Sequence, residues 1–155
     1  MTYTEVRELF QTTFDQVSST GQFMIGRRPD LSLVSTIAND GWPVVCLAPF
    51  RERRNRTTGN MTRQCVLFFI TQDSTNNSEA DRDALVQEME TLADLFEQTL
   101  EQKIRGVAQI PGEILRTPER QTFPGYCTGY SIQFDLLTKI DLCIQPPQEP
   151  EPDSE

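Results

Sequence analysis

Residues 79–103 carry the strongest pattern in the chain and limit how it can fold. Their apolar side chains recur at alternating three- and four-residue steps, which predicts one stripe along a helix: Leu85, Met89, Leu92, Phe96 and Leu100. Ser78 and Asp81 have the spacing that caps a helix start. At ~1.5 Å per residue the helix is about 37 Å long, so it needs an extended apolar surface to cover its stripe.

Residues 130–144 predict such a surface, because apolar and polar side chains alternate there as in a strand with one buried face. The even positions are apolar (Tyr130, Ile132, Phe134, Leu136, Ile140, Leu142 and Ile144), and Leu137 is the exception among the odd ones. The run is longer than a usual strand of about 5–6 residues. We therefore expect either one long, curved strand with a bulge or a break near Thr138.

The remaining elements are read in the same way. Thr2 and Glu5 form a capping-box pattern before a helix with apolar residues Val6, Leu9, Phe10, Phe14 and Val17. Strands are predicted at residues 22–26, 31–37, 42–50 and 62–72, whereas residues 107–125 are expected to be irregular because prolines interrupt them.

This order predicts an α+β fold. A largely antiparallel sheet would carry the N-terminal helix and the one long amphipathic helix packed on one face. We expect residues 1–145 to form a single α+β domain and residues 146–155 to form an acidic, proline-rich C-terminal tail, which is solvated, acts as a linker or lies over a partner.

A basic loop stands between the predicted strands 42–50 and 62–72. Arg51, Arg53, Arg54 and Arg56 place four arginines within six residues at the tip of a hairpin, in a chain of net charge −9. Such a loop is solvated, docks on an acidic neighbour such as another copy, or contacts nucleic acid. Its lack of aromatic side chains and the acidic character of the chain weigh against nucleic acid.

The face of the long helix opposite its stripe is acidic and includes Asp83, Glu90, Asp94 and Glu97. Two interpretations remain open, a solvated surface or the surface that receives the arginine loop of a neighbouring subunit. The candidate subunit or partner interface is therefore Arg51, Arg53, Arg54, Arg56, Asp83, Glu90, Asp94 and Glu97.

No pattern in the chain indicates catalysis. Histidine is absent, the four cysteines form no C-x-x-C pair, and no phosphate-binding, nucleophile-elbow or zinc-protease motif occurs. We therefore expect no enzyme activity, no metal and no cofactor. Buried free thiols are the expected state of the cysteines. If the hairpin is symmetric about residues 55 and 56, Cys46 and Cys65 face each other, at a separation from which oxidising conditions could join them.

The first ten residues lack the basic start and apolar stretch of a signal peptide, and the longest apolar run, residues 65–70, is too short to cross a bilayer. These features favour a soluble, intracellular protein with no membrane contact.

This organisation resembles the neck and tail-completion proteins of tailed bacteriophages, and in particular the tail terminator group. The residues that carry the likeness are Trp42-Pro-Val-Val-Cys-Leu-Ala-Pro-Phe50, the strand at 65–70, the helix at 81–100 and Gly129-Tyr-Ser-Ile-Gln-Phe134. They cover most of residues 1–145. The tail at 146–155 is not part of the family pattern.

The resemblance implies a structural virion protein at the head–tail interface, assembled in the host cytoplasm. It implies a homo-oligomeric ring, commonly a hexamer, that caps the tail tube and joins it to the head connector. Its partners would be other neck, tail-tube or connector proteins, with DNA only as passing cargo. The competing interpretation is a monomeric cytosolic binding module whose arginine-rich loop grips an acidic or phosphorylated ligand.

Overall fold

The computed structural model describes residues 1–26, 41–74, 76–123 and 127–140, and these residues form the predicted α+β fold. Its elements in this part of the chain are α1 (Tyr3–Val17), β1 (Gln22–Ile25), β2 (Val44–Leu47), β3 (Arg51–Asn55), β4 (Asn60–Gln72), α2 (Glu79–Lys103), β5 (Ala108–Gln109), β6 (Leu115–Phe123) and β7 (Cys127–Lys139). The predicted strand at 31–37 and the tail at 146–155 lie outside the described residues.

The seven strands form one sheet whose centre is the antiparallel pair β4 and β7. β2 and β3 both pair with β4, whereas β5 and β6 both pair with β7. Only the pairing of β1 with β2 is parallel among these described strands, so the sheet is largely antiparallel as predicted. β7 pairs with β4 from Cys127 to Lys139 without a register shift, so it has no bulge against β4, and it ends one residue after Thr138, where a break was predicted. The rest of the predicted strand, residues 141–144, lies outside the described residues.

A glycine permits the close approach of the two central strands. A Cβ atom on Gly129 of β7 would lie 2.0 Å from the carbonyl oxygen of Phe69 in β4. Because the neighbour is backbone rather than a flexible side chain, a larger residue here would push the central strands apart.

Both helices pack on one face of the sheet. Each begins with the predicted capping box, at Thr2 for α1 and at Ser78 for α2. The ring of Phe96 lies at the centre of the core, with its centroid 6.2 Å from that of Phe10 and 5.5 Å from that of Phe69. Aromatic pairs at these separations add to the stabilisation that burial gives.

The predicted stripe of α2 is largely confirmed. Met89, Phe96 and Leu100 are buried, whereas Leu85 and Leu92 are half-buried. Ala93 is also fully buried in the contact between helix and sheet. A hydrophobic pattern underrates such a position because alanine has little apolar surface.

The arginine segment is a strand, so the prediction of a loop at 51–56 is wrong for most of its length. β3 continues to Asn55, and the turn follows at residues 56–59. The turn is fixed by Asn55, whose side-chain oxygen accepts hydrogen bonds from the amides of Thr57 (3.0 Å) and Thr58 (3.2 Å). Gly59 completes it with a positive φ of 68°.

This later turn also excludes the pairing of Cys46 with Cys65. Cys46 lies opposite Phe68 in the ladder and belongs to a small apolar cluster on the face without helices. Cys65 belongs to the main core on the helix-covered face, and both thiols are buried and form no disulfide among the described residues. Burial, as the largest cause, raises the pKa of the Cys65 thiol to about 12.

The expectation that residues 107–125 are irregular is wrong, since they contain β5 and β6. β6 has no apolar alternation, because its residues are mostly polar. Its Pro118 lies opposite Tyr130 of β7, and proline is tolerated on a strand that has a free edge.

Candidate interaction surface

The exposed hairpin of β3, the turn 56–59 and the first residues of β4 is called here the arginine hairpin. In the ladder Arg51 lies opposite Gln64 and Arg53 opposite Thr62, on the face of the sheet that carries no helix. Strand alternation places Arg54 on the other face, and Arg56 lies in the turn. All four predicted arginines are exposed. Because they lie in one short strand and the turn that follows it, the structure brings them together at one end of the sheet.

The four arginines keep their charges free of partners in the described part of the chain. No residue in that part forms an ion pair with Arg51, Arg53, Arg54 or Arg56. The guanidinium groups therefore present N–H donors in the planar arrangement that suits carboxylate or phosphate.

A fifth arginine, which the sequence analysis did not single out, fixes the hairpin to the core. Arg63 is 1% exposed and donates three hydrogen bonds. They reach the carboxylate of Glu52 in β3 (2.8 Å), the hydroxyl of Thr138 in β7 (3.1 Å) and the carbonyl oxygen of Met1 (2.7 Å). The signal in the sequence is its position, because Arg63 follows the alternation of Met61 and other buried residues of β4. The three hydrogen bonds thus tie the hairpin to β7 and to the first residue of the chain.

Two further cations extend the basic surface beyond the hairpin. Arg105, after α2, and Lys139, at the end of β7, both line an open cleft of about 940 Å³ that also includes Asn60, the residue after the turn of the hairpin. Within the described ranges, neither cation has an ion pair. We define the basic end as Arg51, Arg53, Arg54, Arg56, Arg105 and Lys139.

The predicted acidic residues of α2 lie elsewhere and have contacts inside the chain. Arg116 of β6 forms ion pairs with Asp94 and with Glu97, the latter at 2.7 Å. Arg120 of β6 forms an ion pair with Asp83.

Glu90, the fourth predicted acid, is contacted from β7. Its carboxylate accepts a hydrogen bond from the hydroxyl of Tyr130 at 3.4 Å. All four acids thus lie on the side of α2 that meets β6 and β7. That a neighbouring subunit also contacts them stays a prediction.

Replacing Arg116 with glutamine should lower the free energy of unfolding by about 0.5–1 kcal/mol. The hydrogen bonds that Arg116 donates to Glu97 and Asp94 raise the pKa of this arginine, but the group is about one third exposed, so water screens the two ion pairs. Urea denaturation would measure the loss, with Arg54→Gln as the control that removes no described ion pair. Equal midpoints for the two variants would contradict the prediction.

A buried carboxylate at the other end of the sheet is structural. Asp73 accepts hydrogen bonds from Thr128 (2.7 Å), Asn77 (2.7 Å) and the amide of Ser74 (2.7 Å), and pairs with Arg82. Burial acts to raise the pKa of Asp73, but these hydrogen bonds and Arg82 outweigh burial, so the pKa is lowered. The carboxylate stays charged and ties the start of α2 to β7.

The described residues offer no converging group of three histidine, cysteine, aspartate or glutamate side chains that could hold a metal ion. Nor does either described helix combine the length and apolar character needed to cross a membrane. Comparison with the models of known protein families finds no match. Comparison with curated proteins likewise finds no relative at a significant level.

Proposed function

We propose that this chain is a structural protein of a tailed bacteriophage that acts at the head–tail interface by forming a ring of identical subunits, as tail terminators do. The observation that carries the proposal is the basic end. It is held to the core by Arg63, is exposed, and has no ion-pair partner among the described residues of its own chain. An exposed cationic surface with no described ion-pair partner is suited to docking on an acidic surface.

The charge of the whole chain favours a second copy as that partner. Net charge is −9 although the basic end is cationic, so the rest of the surface is strongly acidic. Contact between the basic end of one subunit and the acidic surface of the next is head-to-tail, and such contacts close into rings when the rotation between subunits permits. This arrangement requires no chemistry from any side chain.

The layout gives partial support. The resemblance to tail terminators rests on an N-terminal helix, a hairpin carrying an extended loop, one long helix and a long final strand. Both helices and the long strand β7 occur in the fold, whereas the segment expected as an extended loop is strand β3 with a four-residue turn. The position in the virion and the neck and tail-tube partners are inferred from that resemblance.

A second candidate is a monomeric module that binds a phosphorylated or acidic ligand. The specific observation in its favour is the open cleft, because Arg105 and Lys139 line it next to Asn60, which follows the turn of the arginine hairpin. Glu101 is the one acidic residue among the described lining, so two cations and one carboxylate face a ligand there.

Light scattering over a concentration series, with negative-stain images of the same fractions, tests the proposal. We expect rings of about six copies, the number that the resemblance implies, with assembly that weakens as salt is added because the contact is electrostatic. A monomer at every concentration that is stabilised by inorganic phosphate would contradict the ring and favour the binding module.

The variant Arg53→Glu/Arg54→Glu should abolish assembly while leaving the fold intact, because both side chains are exposed and pair with nothing in the described chain. Arg7→Glu is the control, since it reverses an exposed arginine on α1 that is not one of the residues of the basic end. Circular dichroism would verify the fold of both variants. An unchanged oligomer in the double variant would exclude the arginine hairpin from the interface.

A further inference from the structure

We infer that the acidic segment 146–155 binds the basic end of its own chain and thereby competes with the neighbouring subunit for it. The binding within one chain stands on the geometry and charges described below. Its role as a competitor during assembly rests on the proposed function.

The first observation is where the chain leaves the sheet. Lys139, the last residue of β7, pairs with Asn60, which directly follows the turn of the arginine hairpin. The next amide, that of Ile140, donates a 2.7 Å hydrogen bond to the carbonyl oxygen of Gly59 in the turn. The residues that follow Ile140 therefore start beside the tip of the arginine hairpin.

The second observation is that the distance is short. Residues 141–145, which separate Ile140 from the acidic segment, span at most about 18 Å when extended. β3 is separated from β7 only by β4, hence by two strand spacings of about 4.8 Å each, or about 10 Å. Lys139 is adjacent in the chain. Segment 146–155 can thus reach every strand that carries the basic end.

The third observation is complementary charge. The segment has four acidic side chains and no basic one: Glu149, Glu151, Asp153 and Glu155. Arginine and lysine donate strong hydrogen bonds to carboxylates, and the cations of the basic end have no competing ion pair in the described residues. The prolines among the four acids restrict the backbone, which reduces the conformational entropy lost on binding.

Attachment to the same chain makes even weak pairing effective. A short connection gives the segment an effective concentration of the order of millimolar at the basic end. A neighbouring subunit must displace the segment before it can dock, so the tail would raise the concentration at which rings form. The tail would then suppress self-assembly at low concentration, because it stabilises the unassembled subunit.

The binding can be measured in the full chain after its own tail is neutralised. The variant Glu149→Gln/Glu151→Gln/Asp153→Asn/Glu155→Gln removes the four charges and leaves the described residues unchanged. A fluorescein-labelled peptide of residues 146–155 is titrated into it at low protein concentration, and anisotropy is recorded. We expect saturable binding that weakens at least about tenfold between 50 and 500 mM salt, because it depends on charge.

Three matched controls define the site. The peptide should bind the unaltered chain at least about tenfold more weakly, because the native tail occupies the same surface. It should lose binding when Arg53→Glu/Arg54→Glu is added to the neutral-tail variant. A peptide with its four acids changed to amides should not bind. Equal affinity for the neutral-tail and unaltered chains, or binding that survives the arginine reversal, would overturn the inference.

Light scattering of the neutral-tail variant separates this inference from the proposed function. Rings at a lower concentration than for the unaltered chain would support the competition. If the peptide binds but no variant forms rings, the inference that the tail binds the basic end stands and the proposed ring is rejected. Rings that form at the same concentration with and without the tail charges would reject the competition and retain the ring.

Discussion

Replacing Phe96 with alanine should lower the free energy of unfolding by about 3–5 kcal/mol, the usual cost of removing a large buried aromatic side chain. Phe96 is fully buried and joins the two helices to the sheet, because its ring packs against Phe10 of α1 and Phe69 of β4. The void would lie where α1, α2 and β4 meet, and these three elements cannot all move to fill it.

Chemical denaturation monitored by far-UV circular dichroism would measure this loss. Leu95→Ala is the matched control, since Leu95 is the adjacent residue of α2 but is 47% exposed. Its effect should stay within about 0.5 kcal/mol. Comparable losses in the two variants would contradict the packing of α2 described above.

Replacing Arg63 with methionine should cost about 2–3 kcal/mol. Methionine fills much of the space, but the carboxylate of Glu52 and the buried hydroxyl of Thr138 each lose a hydrogen-bond donor. Breaking a buried ion pair by removing one partner costs about 3–5 kcal/mol. The lower figure follows because the side chain of Glu52 is about one third exposed and can be hydrated.

The double variant Arg63→Met/Glu52→Met should recover part of this loss, because it leaves no carboxylate without its partner. Arg54→Met serves as the control, because it makes the same substitution on the paired strand β3 at an arginine that forms no described ion pair. Amide hydrogen exchange should also quicken in β3 of Arg63→Met, since the hairpin loses its tie to β7. Unchanged exchange in β3 would mean that the ladder with β4 alone holds the hairpin.

The long elements were predictable because their periods extend over many residues. The stripe of α2 and the alternation in β7 gave both the type and the location of these elements. β6 was not predictable in this way. Its stabilisation comes from the ladder with β7 and from the contacts of Arg116 and Arg120 with α2, and neither leaves an apolar pattern in the sequence.

The hairpin shows why register is hard to obtain from sequence. The four arginines are evident in the sequence, but the position of the turn is set by the side chain of Asn55 and by Gly59. The turn lies slightly later in the chain than a hairpin symmetric about residues 55 and 56 would place it. Because of this difference, Cys46 and Cys65 lie on opposite faces of the sheet. Arg105 and Lys139 could not be assigned to the same surface, because only the pairing of β4 with β7 brings these distant parts of the chain together.

The central pair of strands also governs when the molecule can fold. Arg63 and Thr138, hydrogen-bonded across β4 and β7, are 75 residues apart in sequence. On the ribosome, β4 is complete long before β7 emerges, so its apolar side chains wait without their main partner. The entropy cost of closing so long a loop is met before the contacts between the two strands form, and this slows folding. The centre of the sheet can therefore form only after β7 has left the ribosome, and until then the apolar side chains of β4 lack the strand that pairs with its whole length.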